Sequence, residues 1–394
     1  MSLDTLVTEL KEKYGLKHLF YNDPKNFFLC TPDLKSRKLS HLQKCVLQTR
    51  CYPILNQYID LYLETYPSEI DYQNKSGYTA LMIASSFSNL HSTDETVDIL
   101  LKHGADLNIQ SKTFGYTALI LAGMYSGTSS SIETVKKLIS HGADVNIKDH
   151  RGYNVLMNSL QCYANSSDEC ILLLIDSDCD LNVKNKDGYT AFTLAYKYLP
   201  KRNNYEILNK FMDKDIDFTV KLHNDSNAIK YLCSTSNFDL YYNEAIDIID
   251  KLVERDVDIN QQDVNGWSAL MTSINSSYNM RKIHLIQHLI DKGADLNVKN
   301  KRNQPSIIIA AYLKDTNISM AIMELLINNG ANIHDLNQMH SKLVSMKNYP
   351  KNHREIEFIQ FLESKGLVIR NKLFDIFISG IILFFLIFVV FQIL

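Results

Sequence analysis

Glycine and proline are scarce in this sequence, 14 and 7 of 394 residues, while tyrosine (22), asparagine, lysine and isoleucine abound. AT-rich codon usage produces that bias, which speaks of lineage rather than mechanism. No block of a single charge sign occurs and the formal net charge is -3, so the chain lacks the basic footprint that phosphate backbones require. Nucleic acid is not an expected partner. Cys-x-x-Cys is absent, and the seven cysteines (Cys30, Cys45, Cys51, Cys162, Cys170, Cys179, Cys233) are odd in number and scattered. This excludes a disulfide framework and fits a reduced, cytosol-facing compartment. Residues 1–13 carry Asp4, Glu9, Lys11, Glu12 and Lys13 with no apolar run behind them, so no secretory signal is read there.

Catalytic signatures are missing as well. The sequence has no Gly-x-x-x-x-Gly-Lys loop, no Gly-x-Ser-x-Gly elbow and no kinase set, so neither enzymatic activity, a cofactor nor a small-molecule substrate is expected. His284 and His288 lie four apart on one helix, as two zinc ligands would. Leu285 stands where a zinc protease carries Glu, and no third ligand is suggested. Cys162, Cys170 and Cys179 have no zinc-motif spacing and read as packing thiols. No metal site is expected. His103 and His141 precede glycines at helix ends, where partial positive charge is favourable.

What the chain does have is self-similarity. Gly77-Tyr78-Thr79-Ala80-Leu81-Met82 recurs at Gly115, Gly152, Gly188 and Gly266, at a spacing of about 37 residues, doubled once. A second block, Gly104-Ala105-Asp106-Leu107-Asn108, recurs in the same phase at Gly142, Asp178, Asp256, Gly293 and Gly330. Degenerate copies fall where the period demands them, at Asp215, Asp225 and Asn303. With 394 residues, 45% hydrophobic and 22% charged, the chain suits a linear array in which each repeat packs only on its neighbours.

Each repeat has a physical grammar. Thr79, Thr117, Thr190 and Ser268 precede apolar stretches and are placed to cap a first helix. A second helix follows with apolar positions at i, i+3 and i+4, such as Val97/Leu100/Leu101 and Val135/Leu138/Ile139. Gly104, Gly142, Gly293, Gly330 and Gly366 then supply left-handed C-terminal caps, with Asp178, Asp215 and Asp256 as substitutes. Asn74, Asp149, Asn185, Asp263 and Asn300 sit three before the turn glycine or its equivalent, where a side chain can bond the turn backbone.

These blocks, G-x-T-A-L and G-A-D-[LV]-N in one phase, resemble the ankyrin repeat over about three quarters of the chain. The resemblance implies an all-α solenoid of helix-turn-helix repeats joined by β-turn loops. Three departures stand out. The period exceeds the family's roughly 33 residues, T-P-L-H reads T-A-L-M or T-A-L-I, and two copies lack the turn glycine. The repeat style and codon bias also resemble ankyrin proteins of giant amoebal DNA viruses. Residues 1–39 form an N-terminal segment without an assigned role, with a helix expected over 3–14. Residues 40–76 read as capping helices, and 77–366 as about eight repeats, of which 196–250 are degenerate. In ankyrin arrays the turn tips and first helices line the binding face. The resemblance therefore makes Tyr78, Tyr116, Tyr153, Tyr189 and Trp267, the aromatic residues after each turn glycine, the candidate protein-binding residues.

One more feature stands apart. Residues 376–394, IFISGIILFFLIFVVFQIL, hold about 19 positions without a charge and would span roughly 28 Å as a helix. A transmembrane helix is expected over 373–394. Lys365, Arg370 and Lys372 precede it and no charge follows it, so the positive-inside bias keeps the repeats in the cytosol, as in a tail-anchored, single-pass membrane protein. The chain thus reads as a membrane-tethered, non-enzymatic scaffold for an unidentified protein partner, on a host membrane if the source is viral. The alternative is an adaptor that brings substrates to a ubiquitin ligase, but no separate recruiting domain is legible. Channels and ankyrin-bearing acyltransferases need several spans.

Overall fold

The computed structural model of the chain describes residues 3–16, 39–198, 205–234, 242–276, 280–339 and 353–369, together with Leu343, Ser345 and Lys347. Its elements are helical. Among the described residues there is no strand, only one antiparallel bridge between Lys299 and Pro305. The chain divides into an N-terminal unit, residues 1–223, and a C-terminal unit, residues 224–394.

The N-terminal unit begins with α1 (Leu3–Glu12), the helix expected there, followed by α2 (His41–Val46) and α3 (Ile54–Thr65). Helix α1 packs on α3, and α2 pairs with α3. Four more pairs follow: α4 (Ala80–Ser86) and α5 (Asp94–Lys102), α6 (Ala118–Tyr125) and α7 (Ile132–Ser140), α8 (Val155–Gln161) and α9 (Asp168–Asp176), α10 (Ala191–Tyr198) and α11 (Tyr205–Met212). First helices stack on first helices, from α2 through α10, and second on second, from α3 through α11.

That stacking explains the two kinds of helix. A first helix has neighbours on both flanks and its own partner behind, so all seven residues of α4 are buried, as are Ala118 to Met124 of α6. Close approach requires small residues: a Cβ on Gly123 would stand 2.7 Å from Ser159 Oγ on α8. Second helices bury one stripe only, Val97 and Leu100 in α5, Val135 and Leu138 in α7. Each such side chain contributes about 1.5–3 kcal/mol by leaving water.

Most helix ends follow the local code, although α3 starts at Pro53 without a side-chain cap. Thr79, Thr117 and Thr190 accept from the N–H of Met82, Ile120 and Thr193 at 3.2, 3.2 and 3.3 Å. Asn154 does the same for Met157 at 3.0 Å. Gly104 and Gly142 are left-handed, with φ 78° and 90°. Asp178 and Asp215, expected to substitute for such glycines, do not adopt positive φ. Helix α9 instead ends through extended Ser177, whose hydroxyl donates to the Leu174 carbonyl at 2.7 Å. On α10, Phe192 meets Tyr196, Phe211 and Phe218 at ring distances of 5.3, 5.8 and 5.0 Å. The unit boundary at 223/224 falls within residues 196–250.

The C-terminal unit repeats the pattern with α12 (Ala228–Cys233) and α13 (Tyr242–Val253), α14 (Ala269–Asn275) and α15 (Met280–Asp291), α16 (Ser306–Ala311) and α17 (Thr316–Asn328). A 3-10 turn, Ile333–Met339, and α18 (His353–Ser364) close it, α18 packing on α17. Asp225 and Asn303 occupy the two turn positions that lack glycine, and Asp256 a cap position. All three have φ 59°, the left-handed region that Asp and Asn tolerate.

Among the described residues no helix is long and apolar enough to cross a membrane. The uncharged run at 376–394, and with it the helix expected over 373–394, lies outside the described residues.

Candidate protein-recognition surface

Before each first helix the chain turns sharply, and one side chain holds the turn. Asn74 Oδ1 accepts the N–H groups of Ser76 and Tyr78 at 3.0 and 3.1 Å. Asp149 takes those of Arg151 and Tyr153, both at 2.9 Å, and Asn185 those of Asp187 and Tyr189 at 3.0 and 2.8 Å. In the C-terminal unit Asp263 and Asn300 do the same for Asn265/Trp267 and Arg302/Gln304. These bonds fix where the aromatic position begins. In the second turn, one residue longer, Ser111 Oγ substitutes, accepting from the Tyr116 N–H at 3.0 Å.

Successive turns are also stitched to each other. The Lys112 N–H donates to Ser76 O at 3.0 Å, that of His150 to Phe114 O at 2.9 Å, and that of Lys186 to Arg151 O at 3.0 Å. Contact is so close that a Cβ on Gly77 (φ 83°) would collide with the Lys112 backbone nitrogen. Gln73 Nε2 bridges Gly77 O and Gln110 O at 3.0 and 3.1 Å, and Gln110 Nε2 bridges Gly115 O and Lys148 O at 2.8 and 2.9 Å. The second block adds a further ladder: Asn108, Asn146 and Asn182 accept the N–H of Asp144, Asp180 and Asp217 in the next repeat. A row of turns bonded this way has little freedom left to lose on binding.

The five candidate aromatic residues fall into two groups. Tyr78 and Tyr153 are only 9% and 4% exposed, so nearly all of each ring is spent on packing within the stack. Tyr116, Tyr189 and Trp267 are half-buried. Tyr116 stacks on Phe114 at 5.2 Å, and Phe114 itself is exposed. The Arg151 guanidinium lies over the Tyr153 ring at 4.7 Å, and the Lys197 ammonium over Tyr189 at 4.5 Å, with His223 against the same ring at 4.9 Å. Burial pushes the Tyr116 hydroxyl up to about 12. Trp267, in the C-terminal unit, borders a shallow hollow with Arg302, Ile309 and exposed Tyr312.

Other candidates find structural partners. His103 and Lys102 reach Asp60 at 2.7 and 2.9 Å; His288 and Lys292 reach Asp250 at 2.7 and 2.9 Å. These ion pairs tie second helices of neighbouring repeats, as do Lys210 and Lys214 on Asp176. The Lys102 ammonium holds Asp60, and that of Lys210 holds Asp176, below the usual carboxylate range. Burial pushes the Cys170 and Cys179 thiols up to about 11 and about 12, far from the thiolate that metal binding or nucleophilic attack requires. Among the described residues no group of three His, Cys, Asp or Glu could hold a metal ion.

Sequence reading missed Phe114, the glutamine bridges and a buried hydroxyl network. In that network Thr134 Oγ1 donates to Asp94 Oδ1 at 2.6 Å and lies 2.7 Å from Ser88 Oγ, from which it can accept. For Phe114 a signal was available: it is the extra residue of the one turn that is longer than the rest.

Comparison with known proteins agrees with this geometry. Residues 49–149 and 124–222 match the family model for ankyrin repeats in three copies. Residues 49–222 form ankyrin repeats. The match begins inside the α2/α3 pair, so the ankyrin pattern reaches into the helices expected to cap the array. Three ankyrin repeat proteins of Acanthamoeba polyphaga mimivirus are similar: 35% identical over 99 residues, 36% over 90 and 38% over 80. These alignments cover 25%, 22% and 20% of this chain, which spans only 17%, 14% and 15% of those relatives. Among solved structures, a chain from the complex of a Bdellovibrio bacteriovorus predatory endopeptidase with an immunity protein aligns at 19% identity. Its TM-score is 0.42, and the alignment covers 52% of this chain and 96% of that one. The ankyrin solenoid of the N-terminal unit is all-α.

Proposed function

We propose that this chain is a non-enzymatic scaffold whose ankyrin turns and first helices bind a protein, and that residues 376–394 hold it at a membrane with the repeats on the cytosolic side. The observation that carries the first part is the row of stitched turns bearing half-buried Tyr116 and Tyr189. Such rings offer large contact area at small entropic cost, because backbone and ring are already fixed. Tyr78 and Tyr153 serve the same surface from beneath, by setting the positions of the turns. The membrane part is supported by the uncharged length of the run and the cations that precede it.

A photoreactive phenylalanine analogue at position 116 or 189 tests the recognition surface. Crosslinks to one discrete protein from those positions, but not from position 136 on α7, are expected. Equal labelling from all three would contradict the reading. For the membrane, the full chain should resist alkaline carbonate extraction and a chain ending at Asn371 should not. Release of both would remove the tether.

A further inference from the structure

The N-terminal unit carries a second row beside its aromatic one. Lys75, Lys112 and Lys186 are exposed at equivalent positions of three turns, and in the turn between the last two that position holds exposed His150, with exposed Lys148 two residues before it. The backbone bonds that join Lys112 to Ser76, His150 to Phe114 and Lys186 to Arg151 hold these tips side by side. None of the four lysines has an ion-pair partner among the described residues. At these turns Asp149 is consumed by its own backbone and Arg151, leaving Asp187 as the exposed carboxylate. Lys184, in the same register as Lys148, differs in that its charge acts on Asp217 of the next repeat. On a chain of net charge -3, this is a local reversal of sign.

We propose that this lysine row selects an acidic, extended polypeptide segment whose apolar side chain seats on Phe114 and Tyr116; the proposal rests on the scaffold reading above and names its partner's chemistry. The cations are sparse, about one to a turn, so a ligand must offer carboxylates at intervals rather than continuously. Asp106, Asp144, Asp180 and Asp217 form an exposed acidic row where the same loops begin. A nucleic-acid backbone, with a charge about every 1.7 Å of duplex, or an anionic bilayer would meet both rows, whereas a peptide can touch the tips alone. Phe114, exposed yet fixed through its own carbonyl, supplies the apolar anchor that charge alone lacks. Steering by such a row acts mainly on the association rate and weakens as salt rises.

The test is fluorescence anisotropy with the full chain in neutral detergent and a labelled peptide of alternating glutamate and serine with one central phenylalanine. Saturable binding is expected, weakening as salt rises from about 0.05 to about 0.5 M. The variant carrying Lys75→Gln, Lys112→Gln, Lys148→Gln and Lys186→Gln should bind at least about tenfold more weakly, as four partly additive surface charges imply, at an unchanged melting temperature. Neutralising Lys136 and Lys137 on α7 should leave binding intact. The proposal is overturned by unchanged affinity in the four-lysine variant, by equal binding of a lysine-for-glutamate peptide, or by binding of single-stranded DNA or phosphatidylserine vesicles in place of the peptide. If the crosslinked protein at positions 116 and 189 survives in the four-lysine variant, the charge proposal falls while the scaffold reading stands.

Discussion

The carboxylate of Asp149 accepts the backbone N–H of Tyr153 at 2.9 Å while its second oxygen meets the Arg151 guanidinium at 3.2 Å. One buried side chain therefore sets the turn, the start of the aromatic position and the cation above that aromatic ring. Asp149→Ala strands two turn N–H groups and should cost about 2–4 kcal/mol. Asp149→Asn, the residue type at positions 74, 185 and 300, keeps the acceptor and should cost less than about 1 kcal/mol. Urea titration of both variants checks the ranking, and equal losses would refute it.

Glycine positions separate two costs. Gly104→Ala meets nothing within 4 Å but must hold φ 78°, for about 1–2 kcal/mol. Gly77→Ala adds a collision with the Lys112 backbone and should lose more, together with the stitch to Ser76. Asn303→Gly relieves a side chain at φ 59° and should gain up to about 1 kcal/mol. Melting temperatures should rank Asn303→Gly highest, then Gly104→Ala, with Gly77→Ala lowest.

Much of this was legible because it is local. Asn74 bonds residues two and four along, and Thr79 caps a nitrogen three along, so composition at fixed offsets was enough. The left-handed turns at Asp225 and Asn303 follow from period and residue type. What escaped depends on the next repeat. Tyr78 and Tyr153 share the offset of Tyr116 yet are buried, because how much of a ring stays open is decided by groups from a neighbouring turn. Gln73 reaches Gln110 and Thr134 reaches Asp94 across 37 and 40 residues, a distance at which no offset within one repeat carries information. Ser177 ended α9 by an extended route that the Asp178 comparison with glycine did not anticipate.

Acid should act on the N-terminal unit in two windows. Burial lowers the His91 pKa below 6.5, and its Nε2 has no hydrogen-bond partner among the described residues. The folded state thus binds fewer protons than the unfolded one, so the His91 contribution is full above pH 6.5 and is lost as pH falls through the lower folded value. His91→Phe should flatten that slope. Asp60 and Asp176, lowered by their lysines, contribute above about pH 3.8 and lose that contribution below it. Denaturation midpoints across pH 3–8, with and without His91→Phe, measure both windows.

In the C-terminal unit Lys230 and Asp263 form a largely buried ion pair at 3.0 Å. Lys230→Met leaves the Asp263 carboxylate without its cation and should cost about 3–5 kcal/mol. Adding Asp263→Asn, which still accepts the Asn265 and Trp267 N–H groups, should restore most of that loss. A double-mutant cycle in urea reads the coupling, and strict additivity would contradict it.

Hydrogen exchange at single amides reaches furthest into the recognition surface, because the surface exists only if the turns are bonded to one another. The amides of Lys112, His150 and Lys186 should exchange at least about a hundredfold more slowly than the exposed Lys75 amide, in step with the first helices. Exchange of all four at the same fast rate would mean independently moving loops, and neither the aromatic surface nor the lysine row would hold together.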